Sequence, residues 1–131
     1  MKAKTYASLK EKLDGVFSEW TRRRFAANYG SVRCVSCGTL KAHWKEIQAG
    51  HFVSRVRLAT RWTPENVAPQ CGACNVLRRG NYAAYSRWME NRYGPSIFAT
   101  LDDASRKPTK FTRADLQQMI DDFTLKIRAM T

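Results

Sequence analysis

Four cysteines form two pairs that have the spacing of zinc ligands. Cys34 and Cys37 make one C-x-x-C motif, and Cys71 and Cys74 make a second. Such a turn aims two sulfurs at one point, so the two turns together can complete a tetrahedron around Zn²⁺. A site of four thiolates has no open coordination position. We therefore expect a structural zinc that contributes folding energy.

Disulfides and redox-active dithiols are the alternative uses of these cysteines. The first residues of the chain include lysines but lack the apolar region of a secretory signal, so we expect a reducing compartment. No thioredoxin-like pattern surrounds either cysteine pair. Both observations favour zinc.

A histidine and two asparagines accompany the cysteine pairs. His51 and Asn66 lie between the pairs, and Asn75 directly follows Cys74. This layout resembles that of the HNH, or ββα-metal, endonucleases. Within that superfamily, residues 13–94 resemble the NinG/Rap recombination proteins of lambdoid phages. The motifs that carry the resemblance are Cys34-Val-Ser-Cys37-Gly38, Ala49-Gly50-His51-Phe52, Arg61-x-x-x-x-Asn66, Gln70-Cys71-x-x-Cys74-Asn75 and Gly80-Asn81-x-x-x-Tyr85.

The resemblance implies an α+β fold with a small ββα-metal (HNH) core. Two C-x-x-C knuckles would support this core, with an N-terminal helix before it and C-terminal helices after it. The resemblance also implies a metal-dependent endonuclease that cuts DNA, with branched recombination intermediates such as Holliday junctions and D-loops as its substrates. A phage or prophage would encode such a protein, which would act in the cytoplasm of its bacterial host.

The same resemblance implies roles for individual residues. His51 would be the general base, which suits its chemistry because a neutral imidazole can accept a proton near pH 7. Asn75 would bind a catalytic divalent cation, Mg²⁺ or Mn²⁺, that stabilises charge on the phosphate. Asn66 would brace the loop and help to orient the base without touching the metal.

The second ligand of this cation departs from the usual HNH pattern. Many HNH proteins carry an acidic residue directly before the base or a few residues upstream. Here Gly50 precedes His51, and Gln48 stands three residues upstream. A Gln48 oxygen can bind Mg²⁺ but brings no charge, and Glu46 is the other candidate ligand.

Two other functions therefore stay open. The first is a less selective HNH nickase or endonuclease that serves packaging or restriction. The second is a catalytically silent, zinc-supported protein that only binds DNA, for which the missing acidic residue is the argument.

The basic charge of the chain favours a polyanionic partner. Lys and Arg number 23 against 11 Asp and Glu, which gives a net charge of +12. Residues 1–81 hold 15 basic and five acidic side chains, so they carry +10 of that charge. Nucleic acid fits such a surface, and we expect no membrane partner because the basic residues follow no membrane-surface helix. The candidate contacts to DNA phosphates are Arg22, Arg23, Arg24, Arg55, Arg57, Arg61, Arg78 and Arg79.

The elements that must position these residues follow from periodicity and length. We expect one domain over 1–131, in which residues 1–30 form an N-terminal helical segment. Residues 31–94 would form the zinc-knuckle core and the helix after it, and residues 95–131 a loop and a C-terminal helix. Within these segments we expect short strands at 47–53 and 67–69, a polar loop at 101–110, and a capping box of Thr112 and Asp115.

The expected substrate also predicts an oligomeric state. Resolving a four-way junction needs two symmetric cuts, and a two-fold dimer supplies two sites. We therefore expect a homodimer that associates through its N-terminal or C-terminal helix.

Overall fold

The computed structural model describes residues 4–130, which form four α-helices and four short strands. The helices are α1 (Tyr6–Arg24), α2 (Tyr82–Tyr93), α3 (Ile97–Ser105) and α4 (Arg113–Arg128). The strands are β1 (Val32–Arg33), β2 (Leu40–Lys41), β3 (Gln48–His51) and β4 (Val67–Gln70). Single helical turns cover Trp44–Glu46, Leu58–Thr60, Pro64–Asn66 and Ala73–Leu77, the last of which is π-helical. This mixture of helices with small sheets confirms the expected α+β class.

Helices α1 and α4 pack against each other through their apolar stripes. Leu13 and Phe17 of α1 are buried, and so are Leu116 and Ile120 of α4. Residues three or four positions apart share one face of a helix, so each helix presents a continuous stripe to the other. Phe17 also meets Phe123 edge to face, with ring centroids 4.9 Å apart. The apolar face of the C-terminal helix is therefore covered by α1 of the same chain.

Helix α4 begins at the capping box that the sequence predicts. The backbone N–H of Asp115 donates to the Thr112 hydroxyl at 3.0 Å. The backbone N–H of Thr112 donates in return to the Asp115 carboxylate at 2.8 Å. Each bond satisfies an N–H group that lacks a partner inside the helix. Aspartate thus replaces the usual glutamate or glutamine and keeps the reciprocal pair.

Two antiparallel hairpins carry the residues of interest. β1 pairs with β2, and β3 pairs with β4 so that His51 lies opposite Val67. β3 and β4 confirm the short strands expected at 47–53 and 67–69. Every residue of β4 is buried, and Val67 belongs to the same apolar core as α1 and α4. The hairpin that presents His51 is therefore anchored on the helical core.

The expected loop at 101–110 is wrong over its first half, because α3 runs from Ile97 to Ser105. Ile97, Leu101 and Ser105 are buried at four-residue spacing, so they form one inward stripe, while Asp102 and Asp103 face solvent. Only two of the inward residues are large and apolar, and most of the segment is polar. The apolar spacing that would predict a helix is therefore too weak to recognise in the sequence. The helix matters for the site because Phe98 packs on Phe52, the neighbour of His51.

Gly50 lies where β3 passes closest to a buried side chain. A Cβ at this position would overlap Oε1 of Gln70. Gln70 is fully buried, and its amide nitrogen donates to the Gly80 carbonyl at 2.7 Å and to the Ser36 hydroxyl at 2.8 Å. Because Gln70 is held in this way, it cannot swing aside. Packing thus explains why the position before His51 carries no acidic side chain.

Along residues 4–130, no helix combines the length and the apolar character that crossing a lipid bilayer requires.

Gly50→Ala should lower the free energy of unfolding by about 1–3 kcal/mol, because the new methyl group overpacks against Gln70. Urea unfolding of the zinc-loaded protein measures this change. Gly15→Ala is the matched control, since a Cβ placed there on α1 meets nothing within 4 Å beyond its chain neighbours and the backbone of its own helix. That control should be neutral or should stabilise by up to about 1 kcal/mol. Equal effects of the two substitutions would contradict the packing argument.

Candidate functional site

The four cysteines converge on one point. Their sulfur atoms all lie within 4.8 Å of one another, and the Cys37 and Cys71 sulfurs are 3.7 Å apart. Zinc–sulfur bonds of about 2.3 Å in a tetrahedron place sulfurs about 3.8 Å apart. The cluster therefore fits a zinc ion. Cys34, Cys71 and Cys74 are buried and Cys37 is exposed, which places the cluster at the edge of a small apolar core.

Backbone hydrogen bonds shape both knuckles. The Gly38 N–H donates to the Cys34 carbonyl at 2.9 Å, and the Asn75 N–H donates to the Cys71 carbonyl at 2.9 Å. The Asn81 amide also donates to the Cys74 sulfur at 3.4 Å. The first bond closes the turn between β1 and β2, and the other two stabilise the segment that carries Cys71 and Cys74.

The cysteine thiols differ in their readiness to ionise. Hydrogen bonds from Thr39 lower the pKa of Cys37 to about 6, whereas burial raises the pKa of Cys74 to about 12. A buried thiolate is costly unless a cation compensates its charge. A bound Zn²⁺ would supply that compensation at all four sulfurs.

A cavity of about 310 Å³ lies between α1, the end of β3 and the turn that carries Asn75. Both His51 and Asn75 line it. The polar residues around them are Asp14, Ser18, Ser54, Arg55 and Tyr82. Of the three residues expected to take part in cleavage, which are His51, Asn66 and Asn75, the structure thus brings two together in one cavity.

His51 is held in one tautomer. Its Nε2 lies 2.8 Å from the Arg61 carbonyl oxygen. A carbonyl can only accept, so Nε2 carries the proton and Nδ1 has a free lone pair. Burial, reinforced by the positive charges of Arg55 and Arg61, lowers the pKa of His51 although the bond to the carbonyl raises it. The imidazole is therefore neutral at pH 7 and can accept a proton at Nδ1.

Asn66 lies outside the cavity and braces the loop behind it. The side chain is fully buried, and its oxygen accepts from the Val53 N–H at 2.7 Å. Its amide nitrogen donates to the Val53 carbonyl at 3.0 Å and to the Thr60 carbonyl at 3.1 Å. With these three bonds Asn66 closes the loop that follows His51.

Asn75, the neighbour of Cys74, contacts Gln48. The Asn75 amide nitrogen donates to Gln48 Oε1 at 2.8 Å. Amide oxygens are hard ligands of the kind that Mg²⁺ and Mn²⁺ accept, so the pair fits such a cation in ligand type. Neither residue contributes charge. Glu46 does not fill that gap, because its carboxylate accepts from the His43 N–H in an exposed capping box.

Asp14 is the functional-site residue that sequence reasoning missed. Its carboxylate accepts from Arg61 Nη2 at 2.6 Å, from Trp62 Nε1 at 2.9 Å and from Arg55 at 3.2 Å. Burial alone would raise the pKa of Asp14, but these hydrogen bonds and charges outweigh it and lower the pKa. Among the described residues it is the only acidic residue that lines the cavity. No local motif marks it, since its partners lie more than 40 residues further along the chain.

The eight arginines expected to contact DNA divide into two groups. Arg55, Arg57, Arg78 and Arg79 are exposed, and Arg55 lines the cavity. The other four are bound to other groups of the chain. Arg61 is buried on Asp14, Arg22 donates to the Trp44 carbonyl, Arg24 donates to the Pro64 and Val67 carbonyls, and Arg23 pairs with Glu19. Arg57, Arg78 and Arg79 can contact an external phosphate without breaking a bond of the fold, whereas Arg55 would first have to leave Asp14.

The fold and these sites define a small α+β protein built around a cysteine cluster that can hold zinc. Comparison with known families is more specific, because the model of the family described as bacteriophage lambda NinG protein matches residues 1–131. The chain therefore belongs to the NinG family, which points to a phage protein related to recombination. No match was found among curated proteins or solved structures.

Cys71→Ser should release zinc and unfold the region around both hairpins, because the metal joins residues 34–37 to residues 71–74. Metal content of the purified protein and circular dichroism on heating measure the two effects. Chelation of the wild-type protein should reproduce the loss, and added Zn²⁺ should restore the wild type only. A variant that stays folded without zinc would refute a structural metal.

Asp14→Asn should lower the free energy of unfolding by about 1.5–3 kcal/mol, because the buried Arg61 loses the charge that accepts its hydrogen bonds. Since the pKa of Asp14 is lowered on folding, its contribution is present near pH 7 and is lost as the pH falls through the folded-state pKa. The unfolding difference between wild type and variant should therefore shrink in acid.

Asp102→Asn is the control for this substitution. Its carboxylate pairs with Arg106 on the surface of α3, where both side chains are more than half exposed. Screening by water makes such a pair worth little, so the change should stay within about 0.5 kcal/mol. If the two variants were equally stable, Asp14 would have no special role.

Proposed function

We propose that this protein is a metal-dependent endonuclease of the HNH type that cuts branched DNA during phage recombination. The observation that supports it most is the state of His51. A neutral imidazole, fixed through Nε2 with its Nδ1 lone pair free, lines a cavity that also contains Asn75. That is the arrangement a general base requires.

His51 would take a proton from the water that attacks the phosphodiester. The Arg61 carbonyl keeps the proton on Nε2, so that Nδ1 stays available as the acceptor. Asp14 holds the Arg61 side chain, and Asn66 closes the loop between His51 and Arg61. These two residues act on the orientation of the base and not on the substrate.

Asn75 and Gln48 are the residues that would hold a divalent cation such as Mg²⁺ or Mn²⁺. When bound, the cation supplies positive charge to the phosphate and the leaving oxygen. Because both ligands are neutral amides, the phosphate itself would provide much of the negative charge at the site. We therefore expect binding of the cation to depend on DNA.

The substrate class rests on charge and on the family. The exposed Arg55 and Arg57 lie on the loop beside the cavity, and Arg78 and Arg79 follow the turn that carries Asn75. Contacts from arginines to DNA phosphates position the DNA but do not depend on its base sequence. Membership in the NinG family favours recombination intermediates, in which the shape of a branch replaces a base sequence as the recognised feature. Paired cuts across a junction need two such sites, so the proposal includes a homodimer.

A catalytically silent DNA-binding protein is the second candidate. The observation that favours it is the charge of the cavity, where Asp14 is the only acidic lining residue among those described and already accepts from Arg61, Trp62 and Arg55. No free carboxylate is then left to bind a metal.

Cleavage of a synthetic four-way junction by the zinc-loaded protein separates the two candidates. With Mg²⁺ or Mn²⁺ we expect paired nicks on the junction and weaker cutting of a linear duplex of matched sequence. We expect no cutting in EDTA. His51→Ala should abolish cleavage while junction affinity stays within a few-fold, because the base is lost and the arginines remain.

His43→Ala is the matched control for that variant. His43 is the other histidine of the chain, and it caps the turn Trp44–Glu46 without lining the cavity. This variant should still cut. Tight binding of the junction without nicks in either metal would reject the nuclease and leave the DNA-binding protein.

A further inference from the structure

The turn that carries Asn75 ends in an exposed apolar tip. Val76 is 60% exposed and Leu77 is 82% exposed, and they directly follow Asn75. A single exposed leucine is common on protein surfaces, but two adjacent apolar side chains at the edge of a candidate site form a small apolar projection. We call residues 76 and 77 the apolar tip.

The backbone behind the apolar tip is held in place. Arg79, Gly80 and Asn81 all have left-handed backbone conformations, with φ of 49°, 97° and 43°. Asparagine adopts this conformation readily, but for Arg79 it is unfavourable, so surrounding contacts must maintain it there. The Gly80 N–H donates to the Cys74 carbonyl at 2.9 Å, and the Gly80 carbonyl accepts from the buried Gln70 at 2.7 Å. The apolar tip is therefore presented by a fixed turn.

Positive charge directly follows the apolar tip. Arg78 and Arg79 are exposed, and the four ion pairs formed among residues 4–130 involve neither of them. Two free guanidinium groups beside two apolar side chains match a partner that offers phosphates next to an apolar stack. Nucleic acid has both features, since charged phosphates border the stacked bases.

We propose that the apolar tip inserts between bases of the bound DNA, with Arg78 and Arg79 on the adjacent phosphates. This proposal rests on the proposed function, because it requires DNA at the neighbouring cavity. Leu77 enters the stack as a wedge, and the fixed turn below it resists displacement. Unstacking costs least where the stack is already interrupted. The wedge therefore favours a branch point over a continuous duplex, and it would place Asn75 beside the strand next to that branch.

Fluorescence of 2-aminopurine tests the insertion directly, because the emission of this base rises when it leaves the stack. Four-way junctions would carry the probe at each base pair that flanks the branch point. The protein would carry His51→Ala so that the DNA stays intact. We expect binding to raise emission at one or two of these positions.

Adding Leu77→Ala should remove most of that rise and weaken junction binding about 5- to 20-fold. The dependence of affinity on salt should stay unchanged, since no charge is removed. Leu40→Ala is the matched control, because Leu40 is 53% exposed on β2, lies outside both terminal helices and does not line the cavity. It should behave as the parent protein.

Each of the following outcomes would overturn the insertion. In the first, emission rises equally with and without Leu77. In the second, Leu77→Ala dissociates a dimer and leaves emission per bound protein unchanged, which would make the tip a protein contact. In the third, the protein binds no DNA.

The insertion and the nuclease can fail independently. Nicking by wild type without a change in emission would reject only the insertion, whereas a Leu77-dependent rise without nicking would reject only the nuclease.

Discussion

The convergence of four thiols sets the position of most of the candidate site. Residues 34–37 and 71–74 meet at one point, so the 33 residues between them must leave the cluster and return to it. The β3–β4 hairpin is the structure that makes this return, and it presents His51 on the way out and Gln70 on the way back. Asn75 takes its place one residue beyond the last cysteine. A change in the cluster would therefore reach the candidate base and the candidate metal ligand together.

A second link joins this cysteine-supported half to the helices. Asp14 of α1 holds Arg61 and Trp62, and the Arg61 carbonyl accepts from His51. The ion pair of Asp14 and Arg61 takes charge out of water, which stabilises the fold only when the hydrogen bonds of both side chains are complete. Here Arg61 donates to Asp14 through two of its nitrogens and to the Arg55 carbonyl through the third. Helix α1 is thus part of the wall of the cavity as well as part of the core.

Local patterns in the sequence predicted the features that depend on neighbours in the chain. The cysteine spacing predicted the cluster, apolar periodicity predicted α1 and α4, and the pattern of Thr112 and Asp115 predicted a helix start. The features that these patterns missed depend on residues that are far apart in the chain. Asp14 acquires its role from partners more than 40 positions away, and α3 is recognised only once Leu101 has a core to enter. The nuclease roles of His51, Asn66 and Asn75 stay predictions.

The contact between Gly50 and Gln70 has a consequence for how related sequences can vary. Position 50 can accept a side chain only if position 70 becomes smaller, so the two positions should change together across the family. A smaller residue at position 70 would also lose the bond to the Gly80 carbonyl, which supports the left-handed turn after Leu77. An acidic side chain at position 50 would therefore require a smaller residue at position 70, and that change would in turn remove a bond that holds the turn at residues 79–81. Natural or engineered variants with an acidic residue at position 50 would have to change both places together.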